Sequence, residues 1–426
     1  MHKNNSHLVT NPISLSDLYS KDSSSFTIQV DRFKELTEKF EQIFNERPQY
    51  HFSTPGRTEI SGNHTDHNHG KVIAASIDLD SIACVAHSDK SIVINSDAYD
   101  RPFKVELDNL TVIDDEAGTT NSLIRGIAFR FKNLGYNIGG FKALITSNVL
   151  QGSGLSSSAS IEVLIGTILN HLYNDGTIIP EEIAKIGQYA ENVYFKKPCG
   201  LMDQMACALG GIISIDFQNP DNPVTTRLNF NFQKQNYSLV IVHTGGSHIS
   251  LTDDYAAVPK EMKQVAEKFG KSVCREISFL DYINKLNKIR SEVSDRALLR
   301  TFHFLKENER VEKQISSLNN NDFKSFLNLV NESGNSSYKY LQNIFSPKDI
   351  NYQPVALALA LSEEFINQIG EGACRNHGGG FEGTIQVMIP AKFVQEYSKY
   401  INNICNDFKV YDINIRQIGA ARILIE

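Results

Sequence analysis

Polar and apolar positions along the chain change period several times, and the changes predict its elements. The runs VIAASIDLDSIACVAH (Val72 to His87), SIVINS (Ser91 to Ser96) and FKALITSN (Phe141 to Asn148) cluster or alternate β-branched residues between turn signals and predict strands. Beyond Gly154 the period becomes helical: Ile161, Leu164, Ile165, Ile168, Leu169 and Leu172 form one apolar stripe, so a helix begins at the serines before them. Pro180, Glu181 and Glu182 announce a second helix running to about Phe195, which places Glu191 near the edge of its apolar face. IISIDF predicts another strand, and the polar stretch from Gln218 to Asn236 has the composition of a connection.

YSLVIVHT opens a second, more helical half, in which segments 354–370 and 391–408 read as helices flanking a glycine-rich turn and the strand TIQVMIP. Strands and helices mix throughout, so the class is α+β. The expected divisions are a polar N-terminal extension over 1–26, one domain over 27–235 and another over 236–426.

Composition narrows the function classes. At 426 residues with 41% hydrophobic content the chain can bury two cores, while a net charge of -7 without a long Lys/Arg cluster argues against a nucleic-acid surface. The first 26 residues lack the apolar core of a signal peptide and no run of about 18 apolar residues follows, so the expectation is a cytoplasmic protein with no membrane partner. The six cysteines show no C-x-x-C spacing, as expected of reduced thiols. No obligate protein partner is evident.

Three polar constellations interrupt the hydrophobic pattern. LQGSGLSSSASIEV (Leu150 to Val163) sets two glycines and four serines before a helix, where unpaired backbone N–H groups and the helix dipole favour an anion; a serine-rich N-cap is the plainer alternative. It is neither a G-x-x-x-x-G-K-[ST] loop nor a G-x-G-x-x-G dinucleotide turn. PGRTEISGNHTDHNHG (Pro55 to Gly70) gathers groups that hydrogen-bond hydroxyls, among them His64, Thr65, Asp66 and His67. Histidines 64, 67 and 69 with Asp66 also have metal-ligating chemistry, although their spacing differs from the helical H-E-x-x-H arrangement, and a solvated loop is a third reading. ENVYFKKPCGLMDQ (Glu191 to Gln204) sets two carboxylates on either side of a Pro-Cys-Gly turn, one able to hold a divalent cation and the other to orient a hydroxyl. Together with a phosphate loop and Arg57 as a cation, these parts suggest phosphoryl transfer. GACRNHGGGFEG (Gly372 to Gly383) permits either close approach of backbone to a ligand or a tight turn.

Taken in order, these blocks resemble the GHMP small-molecule kinases, and among them the galactokinase family. GRTEISGNHTDHNHG is similar to the family pattern G-R-x-N-x-I-G-E-H-T-D-Y-N-x-G, GSGLSSSAS to its phosphate loop, PCGLMDQ to P-C-G-I-M-D-Q and GGGFEGT to G-G-G-F-G-G-C. The resemblance implies a ribosomal S5 domain 2-like N-terminal domain, a ferredoxin-like C-terminal domain and an active site between them. It implies ATP as phosphoryl donor, Mg²⁺, and transfer to the anomeric hydroxyl of a galactose-like sugar. On that basis Asp203 is the catalytic carboxylate and Arg57 the cation beside it; Ser158 and Glu191 match the Mg²⁺ ligands. Gly152, Ser153, Gly154, Leu155, Ser156, Ser157, Ser158, Ala159 and Ser160 match the loop around the ATP phosphates. Asn63, His64, Asp66, Gly200 and Tyr255 match sugar contacts.

The chain departs from the pattern where substrate choice is concerned. Asn63 stands in place of a glutamate similar to a sugar 6-hydroxyl contact, Glu59 in place of an asparagine, Ser61 of an isoleucine, His67 of a tyrosine and Glu382 of a glycine. A kinase for another hexose or hexose derivative is the alternative within the class. A non-catalytic sugar and ATP sensor is the alternative outside it, disfavoured because Ser156 to Ser160, Arg57, Glu191 and Asp203 are all present.

Overall fold

The computed structural model describes residues 11–19, 26–150, 154–245, 251–381 and 383–425. The long strand Lys71–Ser88 organises the first of two sheets, pairing antiparallel with Tyr50–Ser61 on one edge and, over different halves of its length, with Gly140–Ser147 and Ile212–Asp216 on the other. Its side chains alternate with the two-residue period of a strand. Ala83 and Val85 enter a core shared with the helices Thr120–Asn133, Ser157–Tyr173 and Met202–Leu209, whereas Ile82, Cys84 and Ala86 pack beneath the helix Phe26–Phe44. Both faces of this strand are therefore buried, which explains why its sequence reads as a near-continuous apolar run.

The second sheet has four antiparallel strands in the spatial order Ala373–Asn376, Thr384–Pro390, Tyr237–His243, Lys409–Ile413. Val240, Val242, Ile385 and Val387 pack against the helices Pro354–Ile369 and Val394–Ile404, the arrangement expected of a ferredoxin-like unit. The opposite face carries Leu239, Ile241 and Met388 into one core with Ile60, Ile73, Ala75, Ile77 and Leu155 of the first domain. One continuous apolar core thus fixes the two sheets relative to each other, and beside it Thr58, Asn63 and His64 meet segment 376–379 in a polar seam.

Three expectations need correction. The stretch with the composition of a connection contains the strand Val224–Leu228, which pairs with Ile212–Asp216; the exposed face of this edge strand explains its polar sequence. The last strand, Ala421–Leu424, returns to the first sheet beside Tyr50–Ser61, so the division at 236 does not carry through to the C-terminus. Within the expected N-terminal extension, Ile13–Ser14 pairs with that same last strand, and Leu15, Leu18 and Tyr19 are buried in the core under the Phe26–Phe44 helix. A short apolar pattern inside a polar stretch gave too little periodicity to reveal this docking.

Candidate active site

The phosphate-loop helix starts where the serines predict, over Ser157–Tyr173, but Ser156 does not cap it in the usual way. Ser156 takes a left-handed backbone with φ of +59° and sends its Oγ to Asp203 Oδ2. Asp203 is itself set at the start of the helix Met202–Leu209. Arg57 closes the triangle, donating from Nε to Oδ1 and from Nη2 to Oδ2 of Asp203 at 2.7 Å each, and from Nη1 to the Gly154 carbonyl. Arg57 is buried, with 7% of its side chain accessible, while Asp203 keeps 32% open to the seam. Burial alone would raise the Asp203 carboxyl, yet the charge and hydrogen bonds of Arg57, reinforced by Ser156, hold it below the usual carboxylate range.

The loop divides by direction. Leu155, Ala159 and Ser160 are buried, and Ser160 Oγ donates to the Thr54 carbonyl at 3.0 Å and lies within hydrogen-bond distance of Ser81 Oγ at 2.9 Å, so these side chains anchor the loop instead of facing the seam. Within the expected phosphate loop the side chains of Ala159 and Ser160 therefore point away from Ser157 and Ser158, because a helix turns by about 100° per residue. Gly154, Ser156, Ser157 and Ser158 remain for an anion; Gly152 and Ser153 lie outside the described residues. Gly154 fits closely, since a Cβ there would sit 3.1 Å from Thr384 Oγ1 and 3.2 Å from His377 Nδ1.

The expected helix to Phe195 becomes a π turn over Ala190–Tyr194, which rotates Glu191 inward until it is buried. Ser158 Oγ lies 3.5 Å from Glu191 Oε1, and Lys197 Nζ lies 3.0 Å from the same oxygen. The other oxygen, Oε2, accepts from Gln204 Nε2 at 3.0 Å, and that amide also donates to Glu162 Oε2 at 2.9 Å. Glu162 is fully buried with Oε1 unpartnered; burial, with the charge of Glu191 added, raises its carboxyl well above the ordinary range. Glu162, Gln204 and Lys197 received no role from the sequence. An isolated acid inside the apolar run SIEVLIG was the available signal for the first.

The sugar-like signature forms the second half of the seam. His64 adopts φ of +55° and its Nε2 meets the Gly379 carbonyl at 2.8 Å; a carbonyl only accepts, so Nε2 carries the proton and Nδ1, buried without a protein partner, is an acceptor. Burial lowers the His64 imidazole to about 3, which keeps it neutral. Gly200 passes so close to Asp66 that a Cβ on it would fall 1.9 Å from Oδ2. Tyr255, on the helix Thr252–Lys268, donates its hydroxyl to the Gly380 carbonyl at 3.1 Å and lies edge-on to Phe381. His64 and Tyr255 thus meet on the backbone of Gly379 and Gly380, and Asp66 lies against Gly200, three residues before Asp203 in the chain. Among the described residues no three or more His, Cys, Asp or Glu side chains converge as a metal-ligand group, so the histidine-cluster alternative gains nothing.

Asn63 departs from its expected place. It is fully buried, its Nδ2 donates to Glu59 Oε1 at 3.1 Å and the Gly378 carbonyl at 2.6 Å, and its Oδ1 accepts from Asn343, Asn376 and Ser337. Every hydrogen-bonding position of that amide is filled by protein, which leaves none for a sugar. Glu59 in turn accepts from Arg375 Nη2 at 2.8 Å, and Glu59 N–H donates to His377 Nε2 at 3.3 Å. Two of the five departures from the family pattern, Glu59 and Asn63, therefore sit against each other, and Arg375, Asn376, His377 and Gly378 of the glycine-rich segment are among their partners.

Known proteins match this arrangement. Residues 38–87 match the galactokinase galactose-binding signature and residues 122–211 the GHMP kinases N terminal domain. Galactokinase of Clostridium acetobutylicum is 31% identical over 417 residues, covering 92% of this chain and 100% of that protein; galactokinase of Clostridium tetani is 28% identical over 382 residues, covering 87% and 92%. Among solved structures, Lactococcus lactis galactokinase complexed with galactose superposes with a TM-score of 0.79 at 23% identity, over 91% of this chain and 99% of that one. Methanococcus jannaschii mevalonate kinase gives 0.59 at 18% identity, over 87% and 99%. The fold is that of the GHMP kinases, and the extent of the match to the clostridial relative places the chain in the galactokinase family.

Proposed function

We propose that this protein is an ATP-dependent galactokinase, transferring the γ-phosphoryl group of ATP to the anomeric hydroxyl of galactose to give galactose 1-phosphate and ADP. The observation that carries the reading is the two-pronged Arg57–Asp203 pair at the mouth of the phosphate loop, with Gly154 and Ser156 as shared neighbours. In this reading Gly154, Ser156, Ser157 and Ser158 face the nucleotide phosphates. His64, through its Nδ1 acceptor, and Asp66, through a carboxylate backed by Gly200, receive sugar hydroxyls beside Tyr255.

Phosphoryl transfer passes through a loose transition state that needs position and charge more than a strong base. An Asp203 carboxylate held below its usual range suits that demand: it stays ionised, orients the hydroxyl, and takes the proton as the new P–O bond forms. Arg57 fixes its orientation through two parallel hydrogen bonds and adds positive charge where negative charge gathers.

Ser158 and Glu191 would hold the Mg²⁺ that accompanies ATP. Both offer hard oxygen ligands on one side, and Mg²⁺ is commonly bound by one or two such protein groups together with substrate phosphates. When bound, the ion offsets charge on the phosphates.

The test is sugar-dependent ADP release with Mg-ATP across galactose, N-acetylgalactosamine, glucose, mannose, galacturonate and arabinose, with NMR placing the phosphate. Galactose in the lead with a 1-phosphate product upholds the reading. Binding of sugar and ATP without ADP release would replace it with a sensor. A different hexose in the lead would keep the reaction and change the substrate, a second reading that the burial of Asn63 favours, because the position expected to face the sugar is committed to the protein.

A further inference from the structure

Lys197 has no part in the proposed reaction, although it touches a buried carboxylate of the site. Gln204 occupies Oε2 of Glu191, so Oε1 is the oxygen left to face the seam, toward Ser158. That same oxygen is the one Lys197 Nζ holds at 3.0 Å. The backbone makes this fold-back possible: Phe195 N–H donates to Ala190 O, Lys197 N–H donates to Glu191 O at 3.1 Å, and Lys196 between them takes a left-handed φ of +66°. The turn brings the Lys197 stem back over the π turn while 61% of its side chain stays accessible. Glu191 is 4% accessible, lies near the buried Glu162 and shares its surroundings with Asp203. Asp203 has Arg57 as its cation, and the buried Glu191 carboxylate has the Lys197 ammonium.

Resting on the kinase reading above, we propose that Lys197 is the resident counter-ion of Glu191 in the nucleotide-free enzyme and must leave Oε1 for a divalent cation to bind. The incoming phosphates give the released ammonium a new partner, so Glu191 takes its cation together with the nucleotide and resists it alone. Lys197 is on this account a positioning residue that couples cation binding to nucleotide binding.

The experiment measures Mn²⁺ binding to the full-length protein by the EPR signal of free Mn²⁺, which needs no turnover. Without nucleotide, Lys197→Gln should bind Mn²⁺ about tenfold or more tighter than wild type, since it removes a competing like charge. Lys197→Arg, which keeps the charge, should resemble wild type, and adding Glu191→Gln to Lys197→Gln should abolish the gain. With a non-hydrolysable ATP analogue present, the gap between wild type and Lys197→Gln should narrow. Equal Mn²⁺ affinity of wild type and Lys197→Gln, or a gap unchanged by nucleotide, would overturn the proposal. If sugar-dependent ADP release persists in that case, only the role of Lys197 falls; if no sugar releases ADP, the kinase reading falls whatever Mn²⁺ does.

Discussion

Arg57 and Asp203, 146 residues apart in sequence, meet through two hydrogen bonds of 2.7 Å each. This pair makes Asp203 an ionised, oriented acceptor and not a free acid. Asp203→Asn should leave ATP binding near wild type while kcat falls by about 10²-fold or more, measured by ADP release and nucleotide titration. Arg57→Lys should fail to rescue much activity, because an ammonium cannot make both bonds. An Asp203→Asn enzyme with most of its rate would remove Asp203 from the chemistry.

A Gly200→Ala variant tests the proposed sugar contact of Asp66 separately from nucleotide binding. Its hypothetical Cβ would overlap Asp66 Oδ2, so Gly200→Ala must push that carboxylate out of place. The expected result is a sugar KM raised by about tenfold, the scale of one weakened hydroxyl contact, with ATP KM little changed. Equal effects on both KM values would point instead to a displaced Met202–Leu209 helix.

Glu59 and Asn63 form a matched buried pair, closed by Arg375. Asn63→Glu would set a second carboxylate against Glu59 and the Gly378 carbonyl, and should cost about 3 kcal/mol of stability in a denaturant titration. The exchange Glu59→Asn with Asn63→Glu should recover more than half of that loss, a coupling that a double-mutant cycle reads directly. Additive losses would show that the two residues act independently.

Glu307 predicts the acid limb of stability. It is buried; burial would raise its carboxyl, but Arg310, His303, Arg375 and the Ser333 hydroxyl together hold it at about 2. A folded value below the unfolded value of about 4.3 contributes stability that is complete above the unfolded value and is lost as pH falls toward the folded one. The contribution is about 3 kcal/mol, and Glu307→Gln should flatten the stability profile between about pH 4.3 and pH 2. An unchanged slope would assign the acid limb to other carboxylates, Asp80 first among them, since Arg32 and Arg416 hold it low in the buried cluster with Tyr19.

What was legible in the sequence was what neighbouring residues decide among themselves. The period of apolar positions located Lys71–Ser88, Gly140–Ser147, Ser157–Tyr173 and Pro354–Ile369, because strand and helix each repeat within a few residues and show their buried face locally. Glycines, serines and acids at fixed spacing likewise marked the segments that meet at the seam. Tertiary structure alone decided which groups in those segments are spent on the fold. Ser156 faces Asp203 while Ser160 anchors the loop to Thr54 and Ser81; Asn63 turns inward because Arg375, 316 residues beyond Glu59, completes its network; a π turn buries Glu191 and hands one of its oxygens to Gln204 and the other to Lys197. The last strand joined the first sheet for the same reason. Local pattern specifies which face of an element is apolar, but the partner of a polar side chain is chosen by whichever distant segment the shared core brings within hydrogen-bonding distance.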